Sequence, residues 1–315
     1  VGCVSITSVL LVKLFVYTEI FVTLVSDFQK PIYLNMKKLL IVAIAATSAF
    51  AISSCAKDRV YGCTDPFSIN YNPNATDDDG GCFSPSSQKH ALMGDFTATW
   101  CPYCGEWGAP EFNKAIEGTG ASAIPLSIHN TDEITTDEST TLTDYYGAEG
   151  IVGGYPTLYV WNQATFYDGA AMAASALTEA GTGPAEAGAV AGFTDNGSSI
   201  TISVSAELFA DVTGDYFVSA YLMEDGLVFT QQINGSPADP NFVHNHVIRA
   251  SSNGSAWGEQ FVFGAGANGI VFTKSYQIEK NVTWKPENMY MVAIVWKYDS
   301  AEGKYTYVNA QETHL

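Results

Sequence analysis

The chain has 315 residues, 47% hydrophobic and only 15% charged, with a net charge of −19 at pH 7. That length and apolar content are enough for two domains with real cores. The balance of 14 basic against 33 acidic residues argues against nucleic acid as a partner, because phosphate binding needs clustered lysine and arginine, and the acidity reads as solubility.

Residues 1–35 contain an apolar run broken by Lys13 and Glu19 and read as an upstream extension. Met36-Lys37-Lys38 opens a better secretory signal over 36–54, with an apolar stretch from Leu39 to about Ile52 that is short for a membrane span. It ends in Ile52-Ser53-Ser54-Cys55, which resembles the lipobox of bacterial lipoproteins. The resemblance implies a lipid on Cys55, and so a membrane anchor for an otherwise soluble body. Outside the cytosol disulfides persist, so Cys63 and Cys82 are expected to pair within a tether over 55–89. The acidic turn Asp77-Asp78-Asp79-Gly80 offers oxygen donors. An EF-hand register, however, would place Ala75 first and Ser86 last, both wrong for that motif. A solvated turn is expected, with calcium as the lesser alternative.

The next stretch, from Asp95 to Cys104, is a run of strand formers leading into Trp100-Cys101-Pro102-Tyr103-Cys104, with a helix expected behind it over 106–116. A thiol at a helix N-terminus faces the positive end of the macrodipole and free N–H groups, and both favour the thiolate. Two cysteines at this spacing can close and reopen a small disulfide. Downstream, Gly154-Tyr155-Pro156-Thr157 precedes an apolar strand. Strand, Trp100, the cysteine pair, Asp95 six residues before Cys101 and the distal proline together resemble thioredoxins. That resemblance implies Cys101 as an exposed attacking thiol, Cys104 as the more buried resolving thiol, Asp95 as its base and Pro156 as a cis residue facing the pair. Trp100, Pro102, Tyr103, Tyr155 and Thr157 would shape the site. Two thiols need no cofactor, and no metal is expected. Pro110 is expected to kink the helix. His129 is expected at a surface or edge, and no lysine near Leu126–His129 matches the one that tunes the thioredoxin acid. The thioredoxin-like α/β domain is drawn over 90–178, followed by a linker over 179–192.

From Phe193 the pattern changes to period-two alternation, as in Ile200-Thr201-Ile202-Ser203-Val204, with turns at Asn196-Gly197, Asp225-Gly226 and Asn253-Gly254. An all-β sandwich is expected over 193–315. Val243-His244-Asn245-His246-Val247, Trp257-Gly258-Glu259 and Trp284-Lys285-Pro286 resemble the twenty-eight-kilodalton outer-membrane protein family of Gram-negative bacteria. That resemblance implies an outer-membrane address. His244 and His246 are expected on one side of a strand, hydrogen-bonded rather than metal-bound. The function these readings favour is a lipid-anchored cell-envelope thiol–disulfide oxidoreductase, its partners being protein disulfides or thiols and the membrane. The alternative is a non-catalytic surface lipoprotein, an adhesin, scaffold or binding module.

Overall fold

The computed structural model describes residues 59–314; the leader reading, with Met36 and Cys55, lies outside them. Residues 60–83 form a small loop held by the Cys63–Cys82 disulfide, whose Cα atoms are 4.9 Å apart. Inside it Asp65 accepts from the Phe67 N–H at 2.9 Å and from the Ser68 and Ser84 hydroxyls. Those bonds, Phe67 first, hold its carboxyl below the usual range.

Seven elements follow: β1 (Ala91–Thr97), α1 (Ala109–Thr119), β2 (Ala123–His129), α2 (Asp137–Ala148), β3 (Thr157–Val160), β4 (Thr165–Phe166) and α3 (Gly169–Ala180). Polar residues start the last two helices. Thr136 and Ser139 form a reciprocal capping box on α2, and Asp168 accepts from the Ala171 N–H of α3. Strand β1 pairs parallel with β2 and antiparallel with β3. All its residues are buried because both its faces are covered, Asp95 and Thr97 included. One face packs Met93, Leu158 and Val160 against Phe112 of α1 and Met172 of α3.

The remaining chain is β-rich. It holds β5 (Ala187–Asp195), β6 (Ser199–Leu208), β7 (Val212–Thr213), β8 (Asp215–Glu224), β9 (Leu227–Gln231) and β10 (Asp239–His244). Then come β11 (Val247–Ser251), β12 (Glu259–Val262), β13 (Ala265–Gly266), β14 (Val271–Glu279), β15 (Met289–Asp299) and β16 (Lys304–Thr313). Strands β14, β6 and β5 make a three-stranded sheet. The alternating Ile202, Val204 and Leu208 point from it into a core shared with Val218, Leu222, Met291 and Val295.

Two expectations need correction. The proposed linker over 179–192 instead holds the end of α3 and most of β5. Its alanines and glycines suit a strand in close quarters: a side chain on Gly188 would meet the Ser86 carbonyl. Nor is the β-rich half closed on itself. Its large sheet continues into the N-terminal half, in the order β16-β15-β8-β11-β2-β1-β3-β4 with β12 beside β8. The junction is parallel, Val247 opposite Ser127, with the Ser127 N–H donating to the His246 carbonyl at 2.7 Å. Residues 60–314 accordingly belong to one compact unit, and the fold is mixed α/β. Phe96, Leu126, Tyr146 and Trp161 share a core with Tyr221, Ile248, Val292 and Trp296 from the other half.

Candidate functional site

Strand β1 ends at Thr97, and the turn after it carries the cysteines. Asp132 accepts the Thr99 N–H and Glu133 accepts the Thr99 hydroxyl, each at 2.9 Å, which fixes the entry to the turn. Cys101 and Cys104 form a disulfide, with Cα atoms 5.3 Å apart, and the Cys104 N–H points at the Cys101 sulfur at 3.1 Å. The chain then winds as one π-helical turn, Cys104–Gly108, before α1. Pro110 lies in the first turn of α1, so the interruption expected of it appears as a change from π to α winding. The reason is that proline offers no N–H and crowds the preceding turn.

The Tyr155–Pro156 peptide is cis. The Pro156 ring packs on the helix at Gly108, where a Cβ would come within 2.7 Å of it; only glycine fits there. Tyr155 accepts from the Asn130 amide at 2.7 Å and meets Trp100 edge-to-face at 5.7 Å. Thr157 donates its hydroxyl to the Gly154 carbonyl. Trp100 and Tyr103 are exposed, at 47% and 53%. On the outer side of Pro156 a groove of about 660 Å³ is walled by Tyr103, Trp107, Tyr155, Phe166 and Tyr167.

Asp95 is buried, and burial pushes its carboxyl up to about 7. Among the described residues no lysine or arginine lines the cavity around Asp95; histidines stand there instead. His129, expected at an edge, is buried, its Nδ1 2.7 Å from Asp132. Burial works against charge on Asp132, yet His129, the Thr99 N–H and Thr135 hold its carboxyl below the usual range. His244 and His246 do not share a strand. β10 ends at His244, and the chain turns through a left-handed His246 whose Nδ1 lies 2.8 Å from the Tyr290 hydroxyl. Among the described residues no group of three metal-ligating side chains comes together.

One expectation about the sulfurs is overturned. Cys101 is not exposed; it retains 2% of its accessible surface. The segment following β9 lies over it. The Gln231 amide donates toward the carbonyls of Cys101 at 2.9 Å, Gln232 at 3.0 Å and Ala98 at 3.2 Å. The Gln232 and Asn234 N–H groups donate to the carbonyls of Thr99 and Pro102, and the Asn234 amide reaches Glu106 at 3.0 Å. Gly105 makes room for this cover, since a Cβ there would lie 2.8 Å from the Gln231 side chain. Nothing local in 231–234 signals the contact, because its partners lie about 130 residues away in sequence.

The fold and site define a mixed α/β protein with a covered disulfide at a helix N-terminus. The sequence model for outer membrane protein Omp28 matches residues 144–312, just over half the chain, and the chain belongs to that family. Membership assigns it to the outer membrane of the cell envelope. Pro156, Gln231 and His244 lie within the matched residues, whereas the cysteine turn precedes them. Among solved structures the chain is similar to HBP35 of Porphyromonas gingivalis, at 19% identity and a TM-score of 0.59 over 73% of this chain and 76% of that one. It also matches a domain of the outer membrane lipoprotein Omp28 from Porphyromonas gingivalis, at 18% identity and a TM-score of 0.27, over 42% and 88% of the two chains. No curated protein matches it.

Proposed function

We propose that this protein is a lipid-anchored thiol–disulfide oxidoreductase of the cell envelope, with a thioredoxin-like N-terminal half acting on protein disulfides. The observation that carries the reading is the Cys101–Cys104 disulfide at a helix start, with buried Asp95 lining the cavity behind Cys104. In the reduced enzyme the Cys101 thiolate attacks a substrate disulfide, forming a mixed disulfide and releasing one substrate thiolate. Cys104 then gives its proton to the Asp95 carboxylate and attacks the Cys101 sulfur. The Cys101–substrate bond breaks, the electron pair leaves on the second substrate sulfur, and the enzyme dithiol has been oxidised. An external dithiol reductant resets it, and the same steps run backward oxidise a substrate. Pro156 and Tyr155 would present backbone to the substrate strand, and Cys55 would carry the lipid.

The segment at Gln231–Asn234 must move before a polypeptide reaches Cys101. That cover is the one observation favouring the second reading, a non-catalytic envelope binding module whose disulfide is structural. Turnover in an insulin-reduction assay, abolished by Cys101→Ala, decides between them. A full-length protein that turns over nothing, and whose Cys104→Ser form traps no partner, would leave the second reading standing.

A further inference from the structure

A small cavity of about 40 Å³ lies beside Cys104, and Asp95, Ser127, His129 and His244 are among its walls. Two buried atoms in these walls, Asp95 Oδ1 and His244 Nε2, have no hydrogen-bond partner among the described residues. Asp95 belongs to β1 and His244 to the far end of the hairpin that carries Gln231, so the fold brings them together across some 150 residues. A polar space of this size admits roughly one or two waters.

We infer that His244 is a positioning residue for the resolving step, relaying through water in this cavity the proton that Asp95 exchanges with Cys104. The inference rests on the thiol–disulfide reading above. A backbone hydrogen bond at Phe229 favours the protonated ring of His244. Nε2 is buried with no partner among the described residues, so the relay assigns the backbone contact to Nδ1 and leaves Nε2 as the atom that accepts. Burial, with the neighbouring His129 adding to it, brings His244 down to about 4, below the value of about 7 for Asp95, so the ring is neutral near pH 7 and holds the relayed proton only in passing, about a thousandfold less favoured there than on Asp95. The other titratable groups facing it are His129, at 5.1 Å between ring centroids, Asp132 and Glu133 behind that ring, and His246 on the turn.

Cys104 loses its proton to the Asp95 carboxylate as the Cys101–Cys104 bond forms and the Cys101–substrate bond breaks. Water carries that proton from Asp95 to His244 Nε2, and His244 releases it to solvent, where the departing substrate thiolate takes it up. Asp95 is thereby returned to the carboxylate.

The test uses the reduced full chain and a symmetrical nitroaromatic disulfide, which releases one coloured thiolate on attack by Cys101 and a second on resolution by Cys104. In His244→Gln the first release should keep its rate, while the second slows by about tenfold or more near pH 7 and its pH profile moves upward. Combining it with Asp95→Asn should slow the second release no further than Asp95→Asn alone. Asn113→Ala, which changes a cavity-wall residue that carries no proton, should leave both releases as they are. An unaltered second phase in His244→Gln, or both phases slowed equally, overturns the inference. Absence of the first release in the unaltered protein overturns the parent reading and the relay with it. If His244→Gln and His244→Asn fail to fold, nitrogen NMR of the unaltered protein decides. The Nε2 resonance must then move with the Asp95 carboxyl between pH 6 and 8 (about one unit either side of its titration), and independent titration refutes the relay.

Discussion

Replacing Asp95 by Asn in the oxidised protein should change how stability depends on pH, and the size of the change follows from burial. An ordinary aspartate titrates near 3.8, whereas this one is pushed up to about 7. The folded protein therefore keeps a proton that the unfolded chain has already released, and stability is lost as pH rises between those values. At about 1.4 kcal/mol per unit the loss reaches ~4 kcal/mol above pH 7. His244 works in the opposite direction. Its folded value of about 4 lies below the ordinary 6.5, so its contribution is complete above 6.5 and disappears as pH falls toward 4. That is worth ~3 kcal/mol, and between pH 4 and 6.5 the two slopes nearly cancel. Asp95→Asn removes one of them. Urea unfolding of the disulfide-bonded protein from pH 4 to 8 should show variant and wild type equal near pH 4. The variant should then gain progressively, by about 2–4 kcal/mol at pH 8. The other groups around the cavity are the same in both proteins and drop out of the difference. A difference that stays constant across the range would refute the claim that Asp95 is buried and protonated.

Gln231→Ala removes the hydrogen bonds by which its amide ties the cover to the Ala98 and Cys101 carbonyls, worth about 2 kcal/mol together. Reduction of the Cys101–Cys104 bond by a small phosphine should accelerate about thirtyfold; an unchanged rate would mean that Gln231 does not hold the cover closed. Gly108→Ala drives a Cβ into the Pro156 ring and should cost about 1–3 kcal/mol in chemical denaturation, while Gly150→Ala, which meets no neighbour, supplies the control for volume; its left-handed φ of 74° sets its own, smaller strain. Paired Cys63→Ser and Cys82→Ser substitutions open a loop of sequence separation 19. They should weaken the 60–83 segment by about 3 kcal/mol, seen as faster proteolysis there with the remaining melting transition unmoved.

The strands with strong local character were legible from the residues alone. β1, β2 and β3 stand out as runs rich in strand formers, and β6, β8 and β15 as alternating or largely apolar strands, because burial on one or both faces writes itself into the local pattern. β5 was hidden, since Ala187-Gly188-Ala189 has little strand propensity and gains its conformation from neighbours on both sides. The β9–β10 hairpin and its cover over Cys101 were hidden for another reason. Gln231 binds main-chain carbonyls, and a carbonyl is supplied by every residue type, so neither end of the contact constrains its sequence. The burial of His129 depends on Asp132 three residues later, a spacing equally compatible with an exposed loop. The cysteines, Asp95 and Pro156 were recognisable as a set, yet their accessibility belongs to a distant part of the chain.

The core common to both halves has a consequence for how such a protein can be taken apart. A fragment stopped after α3 would present Phe96, Leu126, Tyr146 and Trp161 to water where Tyr221, Val292 and Trp296 now meet them. The cysteine turn is therefore no cartridge that could be lifted out and joined to another body. Any lineage that lost its β-rich portion would have had to repaint that entire aromatic wall at the same time.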